Sequence, residues 1–255
     1  MFKNVLLVFV SGFILVSWTG FVYAERPFST EDAGVAGKGV AQVEIGVEYA
    51  RQLNGDKEYA SLFVPVYGLT ERLEFSAEFP HKLTSFKEGG DEEGLEDVSL
   101  VLKTLIVEEV GNIPAFLVKT VVKLDNGDED KGLGSGEKDL GLVAVATKSI
   151  GPLTFHANIG YTFVGNDFDP TLKDYLLYGV AGEYEVGDKT RLMMELYGES
   201  NSHFDVDAFK HHDLQALLGS TYQLTERVVF DAAIKIGLTD DSPDYGLTSG
   251  VSIGF

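Results

Sequence analysis

Apolar and polar residues alternate along most of this chain. Val43, Ile45, Val47 and Tyr49 interleave with Gln42, Glu44, Gly46 and Glu48. Leu73, Phe75, Ala77 and Phe79 interleave with Arg72, Glu74, Ser76 and Glu78. Val98, Leu100 and Leu102 do so with Asp97, Ser99, Val101 and Lys103. A period of two with one apolar and one polar face marks a strand lying between two different environments. The rows continue with Phe116, Val118 and Val122 against Lys119 and Lys123, and with Leu140, Leu142, Ala144 and Ala146. Phe155, Ala157, Ile159 and Tyr161 oppose His156, Asn158 and Gly160. Leu176, Tyr178, Val180 and Tyr184 oppose Gly179 and Glu183, and Leu192, Met194 and Leu196 oppose Arg191, Glu195 and Glu199. Leu214, Ala216, Leu218 and Tyr222 follow, then Val228, Phe230, Ala232, Ile234 and Ile236 against Asp231 and Lys235. Tyr59 to Tyr67 is apolar on both faces and contains Pro65, which leaves its register open.

The chain closes on Leu247-Thr248-Ser249-Gly250-Val251-Ser252-Ile253-Gly254-Phe255, alternating again and ending on an aromatic residue. An ordinary antiparallel strand can read this way, but an exposed edge of that kind invites aggregation in water. Counted with the rest it gives about twelve strands, an even number, as bacterial outer-membrane barrels require. The expected fold is therefore all-β: a transmembrane up-and-down antiparallel β-barrel over residues 41–255.

The connections sort into two classes. Gln52 to Lys57, His81 to Glu96, Asp125 to Asp139, Gly165 to Asp174, Ser200 to His212 and Thr239 to Asp244 are the longer, acidic ones. Gly68 to Glu71, Val107 to Ile113, Ser149 to Pro152, Val186 to Thr190 and Gln223 to Glu226 are short. Strict alternation of long and short fits an up-and-down barrel with both termini in the periplasm. A soluble sandwich mixes its loop lengths through Greek-key crossings. The turns Tyr67-Gly68-Leu69-Thr70-Glu71-Arg72 and Tyr222-Gln223-Leu224-Thr225-Glu226-Arg227 repeat one another, each with an aromatic where a membrane-interface girdle needs one.

Ahead of the strands, Lys3, an apolar run from Val5 to Val16 and Val22-Tyr23-Ala24 read as a secretory signal peptide over residues 1–24. The alternative is an uncleaved anchor, since the run is nearly long enough to span. Residues 25–40, with Pro27, Gly34, Gly37 and Gly39, form an irregular segment expected in the periplasm, against or inside the barrel's lower mouth. Irregular backbone cannot face lipid.

Charge and composition narrow the function. Forty acidic residues against 20 basic ones give a net charge of −20, which disfavours nucleic acid as a partner. The absence of cysteine removes disulfides and thiolate metal sites. If the apolar rows face lipid, the polar rows line the lumen. The candidates there are Glu44, Glu48, Glu74, Glu78, Lys119, Lys123, His156, Asn158, Arg191, Glu195, Asp231 and Lys235, with Arg72, Asp97, Lys103, Glu183 and Arg227 beside them. Charges of both signs can bond across a narrow tube and fill it, or they can line a thin wet path. Packing and solute binding are both open roles for them.

No cofactor or catalytic constellation emerges. Asp125 to Gly132 is oxygen-rich but lacks the spacing and terminal Glu of a calcium loop. His203, His211 and His212 share a loop with Asp205 and Asp207, which reads as a solvated loop sooner than as a metal site. Gly132-Leu133-Gly134-Ser135-Gly136 lacks the lysine and helix of a phosphate loop. Ser202 and His203 are adjacent and point apart if extended, so no nucleophile–base pair for a lipid-cleaving barrel is evident.

Arg26-Pro27-Phe28-Ser29-Thr30-Glu31-Asp32-Ala33-Gly34-Val35-Ala36-Gly37-Lys38-Gly39, running into Gln42 to Tyr49, resembles a large bacterial family, as does the turn at 67–72. Its members are labelled as outer-membrane proteins or transporters of the MetA-pathway of phenol degradation. The resemblance implies an outer-membrane barrel, sometimes encoded beside genes of aromatic degradation, and carries no site residues over. The expected function is passage of small molecules, aromatic or hydrophobic ones included. The alternatives are a structural or adhesive barrel whose acidic loops hold divalent cations and lipopolysaccharide, and a lipid-modifying enzyme. The expected partners are outer-membrane lipid, lipopolysaccharide, a small solute and, through the terminal strand at Phe255, the barrel assembly machinery.

Overall fold

The computed structural model describes residues 26–166, 172–200 and 212–255. The expected signal peptide lies outside the described residues, as do Glu25, Asp167, Asp169, Ser202, His203, Asp205, Asp207 and His211. The strands are β1 (Ala41–Arg51), β2 (Lys57–Thr70), β3 (Leu73–Ser85), β4 (Asp91–Leu95), β5 (Ser99–Val107), β6 (Ala115–Lys123), β7 (Asp139–Ile150), β8 (Leu153–Phe163), β9 (Tyr175–Val186), β10 (Thr190–Ser200), β11 (His212–Thr225), β12 (Val228–Gly237) and β13 (Tyr245–Gly254). Every pairing is antiparallel, and β1 pairs with β13 from Gln42↔Gly254 to Arg51↔Tyr245, which closes the sheet.

Short β4 pairs only with the upper part of β3, from His81 to Ser85, while β5 pairs with its lower part, from Leu73 to Glu78. The two are halves of one wall strand, so the closed barrel has twelve. The region 81–96, expected as a plain loop, is instead a hairpin extending the barrel wall. At the break the backbone groups stay satisfied: Val98 N–H donates to Asn126 Oδ1 at 2.9 Å, and Leu124 N–H to Val98 O at 2.8 Å.

Alternation separates the faces. Ile159, Met194 and Leu218 are 63%, 61% and 61% exposed on the outside, whereas Leu117, Val145 and Met193 are 1%, 1% and 3% exposed within. A closed ladder leaves no backbone edge, and its apolar exterior meets hydrocarbon rather than water. Among the described residues no helix is long and apolar enough to cross a membrane.

The two repeated turns have one geometry. Pairing shifts at Gly68/Thr70 and again at Gln223/Thr225, so Leu69 and Leu224 are the extra residues. Thr70 Oγ1 accepts from Arg72 N–H and Thr225 Oγ1 from Arg227 N–H, both at 3.2 Å. This places Arg72 and Arg227 at the exposed rim rather than in the lumen, where alternation alone would set them. Arg72 pairs there with Glu108 at 2.7 Å, both more than half exposed.

Polar rows do not fill the whole interior. Ala115, Leu117, Val143 and Val145 form an apolar cluster inside the wall, and Ala33 from the N-terminal segment completes it. Val64, Val66 and Val101 are also buried inside. The double-sided apolar character of β2 follows: Tyr59, Phe63 and Tyr67 are exposed outside, and Val64 and Val66 face inward.

Candidate functional site

Residues 26–40 lie within the barrel and follow its inner wall. Arg26 sits against β12 and β13: Nη2 donates to Thr248 Oγ1 at 2.8 Å, and Nε lies 3.5 Å from Asp231 Oδ2. Ser29 N–H donates to the Glu195 carboxylate on β10 at 3.0 and 3.1 Å, and Thr30 N–H donates to the same group. Ala33 N–H donates to Thr147 Oγ1 on β7 at 2.8 Å, and Ala36 N–H to Glu74 Oε2 on β3 at 2.6 Å. The segment then leaves at the short-turn end, clamped by Gly39 N–H to Gly68 O (2.7 Å) and Gly68 N–H to Val40 O (2.9 Å). A carboxylate accepting backbone N–H bonds makes a charge-assisted contact, stronger than its neutral counterpart. The irregular backbone thus replaces the ladder partners it lacks with wall side chains.

Glu31 is the segment's charged centre. Its carboxylate is 2.6 Å from Lys103 Nζ and pairs with Lys119 Nζ, which also lies 3.7 Å from Glu78. Asn158, with its amide set by these neighbours, accepts from Glu31 N–H at 2.6 Å and donates to Glu31 O at 3.1 Å.

A hydroxyl–imidazole–carboxylate row stands beneath. Thr147 Oγ1 is 2.9 Å from His156 Nδ1, and His156 Nε2 is 3.5 Å from Glu183 Oε1, which Arg191 Nη1 supports at 2.8 Å through Oε2. Thr147 Oγ1 also accepts from Ala33 N–H, so one hydroxyl joins the segment to the imidazole. No sequence motif marks this pair, because Thr147 and His156 meet through the β7–β8 register. The Phe28 ring meets His156 edge-on at 6.0 Å. The row faces the segment and lies outside the lining of the lumen cavity described next, so it seats the chain.

Between the segment and β1, β2, β3, β5 and β6 a cavity of about 150 Å³ remains. Glu44, Glu74, Glu78 and Lys119 line it, together with Arg26, Glu31 and Lys103. Glu44 accepts from Gln42 Nε2 at 2.7 Å. Its other side is apolar, formed by Leu62, Val64, Val66 and Val101. Nearer the long loops, Lys235 pairs with Glu48 at 2.7 Å, and Lys123 lies 3.0 Å from both Asp97 and Asp139. Of the twelve candidates from the polar rows, Glu44, Glu74, Glu78 and Lys119 line this cavity, His156, Asn158, Glu195 and Asp231 touch residues 26–40, and Glu48, Lys123, Arg191 and Lys235 form ion pairs. The tertiary structure adds Arg26, Glu31 and the apolar wall. Inward glycines were the available signal for Arg26: Gly46 and Gly250 lie against it, and Gly219 lies against Pro27.

The loop 124–138 folds inward at the opposite end. Asp97, 7% exposed, accepts from Gly127 N–H at 2.7 Å and Ser135 N–H at 3.1 Å. Lys131 pairs with Asp128 at 3.2 Å and Lys138 with Asp125 at 3.5 Å, so part of the acidic excess is met within the loop. Among the described residues no group of three or more metal-ligating side chains assembles. His212 is described without its loop neighbours; its carbonyl accepts from Thr239 Oγ1 at 2.7 Å.

No curated protein matches the chain. Among solved structures, an outer membrane channel from Pseudomonas putida F1 superposes with a TM-score of 0.70 over 89% of this chain and 100% of that one, at 14% identity. The outer membrane phospholipase A of Escherichia coli superposes with a TM-score of 0.49 over 91% and 94%, at 12% identity. The monoaromatic hydrocarbon channel CymD gives 0.46 over 85% and 88%, at 10% identity. The first likeness establishes the fold, that of an outer-membrane barrel. The family model described as "Putative MetA-pathway of phenol degradation" matches residues 24–255, and the chain belongs to that family.

Proposed function

We propose that this protein is a narrow outer-membrane channel for small molecules, with its bore set by residues 26–40. The carrying observation is the cavity left between the segment and one side of the wall, apolar on one flank and charged on the other. An engineered cavity of about 150 Å³ admits a benzene-sized body, so a single-ring solute matches the space. The family's association with phenol degradation and the channel from Pseudomonas putida F1 support the same reading. In this reading the polar candidates have two duties. Glu74, His156, Asn158, Glu195 and Asp231 hold the segment, and Glu44, Glu78 and Lys119 face the solute.

Both termini lie in the periplasm in this proposal, the long loops outside, and residues 1–24 are removed as a signal peptide. Phe255, whose N–H donates to Ala41 O at 2.9 Å at the closing seam, presents the terminal strand to the barrel assembly machinery. Exposed loop carboxylates meet lipopolysaccharide through divalent ions. No catalytic role is assigned: the Thr147–His156 pair is engaged by the segment.

The test is flux through vesicles carrying the protein, compared with a form lacking residues 26–36. Small solutes should pass through the complete protein slowly, and larger ones only through the shortened form. Absence of flux through both would remove the channel reading and leave the surface-barrel alternative.

A further inference from the structure

Lys103 and Lys119 are direct partners across β5 and β6. Like charges opposite one another on one face destabilise a sheet, and both side chains are buried, 5% and 15% exposed. Such a pair requires an anion between its ammonium groups. Glu31 is that anion, and it comes from the irregular segment rather than from a strand. It can leave without breaking a ladder hydrogen bond.

We propose that Lys103 and Lys119 form a carboxylate-binding site in the lumen, that Glu31 occupies it as a built-in stand-in, and that the solute is a small organic carboxylate with a body the size of one ring. The charges lining the cavity support a like-for-like exchange. Arg26, Lys103 and Lys119 balance Glu44, Glu74 and Glu78, three against three, and Glu31 is the remaining anion. An incoming carboxylate that displaces Glu31 restores the same balance. Its apolar body meets Leu62, Val64, Val66 and Val101, which line the same cavity. The cavity's volume of about 150 Å³ sets the size limit. Binding frees Glu31, loosens the segment and widens the path. The solute class rests on the channel reading for its route, whereas the binding step does not.

The natural sequence has no cysteine, so one introduced thiol reports on the segment. Ala33, 5% exposed in the apolar cluster, is the position. The full-length Ala33→Cys protein in vesicles is treated with a membrane-impermeant maleimide in benzoate, in chloride of equal ionic strength, or in benzyl alcohol. Benzoate should speed labelling severalfold over both controls. Adding Lys119→Gln should abolish the difference, and adding Glu31→Gln should give fast labelling without benzoate. Equal rates in benzoate and chloride, or in benzoate and benzyl alcohol, overturn the proposal. Should Ala33→Cys fail to fold, calorimetric titration of benzoate into the unmodified protein decides. Saturable heat that Lys119→Gln removes supports the site, and heat that persists or never appears overturns it. Vesicles that pass solutes while benzoate leaves labelling unchanged remove this site and keep the channel. Benzoate-dependent labelling in vesicles that pass nothing keeps the site and removes the channel.

Discussion

Gly46 and Gly250 face each other across the β1–β13 seam, and the Arg26 side chain lies over both. A Cβ at either position would occupy space that the guanidinium holds, and at Gly250 it would also crowd Asp231. The missing side chains admit the segment at the point where the barrel closes. Gly250→Val should unseat Arg26, raise conductance and leave the barrel folded. Overpacking of this kind costs about 1–3 kcal/mol, readable as a lower unfolding midpoint. An unchanged conductance would mean that Arg26 does not hold the segment in place.

Ile159 tests the orientation of the wall. It lies mid-strand on β8 with its side chain 63% exposed to the outside. An arginine at the midplane of a lipid face costs about 2–4 kcal/mol. Ile159→Arg should lower folding stability in lipid by that amount, measured by urea titration into vesicles. A neutral result would place Ile159 away from hydrocarbon.

Asp97 fastens the inward-folded loop. Asp97→Ala leaves the N–H groups of Gly127 and Ser135 without their acceptor and takes one of two carboxylates from Lys123. Each buried donor left unpaired costs about 1–3 kcal/mol. The loop should open without unfolding the barrel, and trypsin should then cut after Lys131 in the variant faster than in the parent.

One turn at the short end should respond to acid. Lys148 Nζ donates to Glu109 at 2.7 Å and Ser149 N–H at 3.0 Å, holding the Glu109 carboxyl below its ordinary 4.5. A group with a lowered folded-state pKa stabilises fully above its unfolded value and loses that contribution as pH falls through the folded one. The turn 108–114 should therefore be unaffected above about pH 4.5 and loosen below it. Hydrogen exchange at Ser149 should accelerate there beyond the intrinsic rate, and Glu109→Gln should remove the pH dependence.

Asp128, Glu129 and Asp130 stand together in the acidic loop 124–138. If the barrel conducts, neutralising Asp128, Glu129 and Asp130 together should lower its cation preference and speed benzoate entry. The effect should be greatest in dilute salt, where screening extends over about 30 Å at 0.01 M against about 10 Å at 0.1 M. An unchanged reversal potential at low ionic strength would assign these carboxylates to hydration or to lipopolysaccharide bridging.

Alternation was informative wherever the two sides of the wall differ chemically. It separates Ile159, 63% exposed, from Asn158, 7% exposed, because neighbouring Cβ atoms on a strand point to opposite faces. It gave no register for Tyr59 to Tyr67, where the inner side is also apolar. It misplaced Arg72 and Arg227, since the bulges at Leu69 and Leu224 shift the register before those residues are reached.

Apart from β4 and the bulges at Leu69 and Leu224, the sequence by itself determined the strands, their faces outside Tyr59 to Tyr67, and the up-and-down order. Each of these depends on local backbone geometry or on pairing between sequence neighbours. Only the tertiary structure decided what fills the lumen. Ser29 and Glu195 are 166 residues apart, and Ala33 and Thr147 are 114 apart. No periodicity connects an irregular segment to a particular wall residue. Lys103 and Lys119 meet through the local β5–β6 pairing, but Glu31 reaches both only where the closed wall brings the segment and the strands around one enclosed, poorly solvated space.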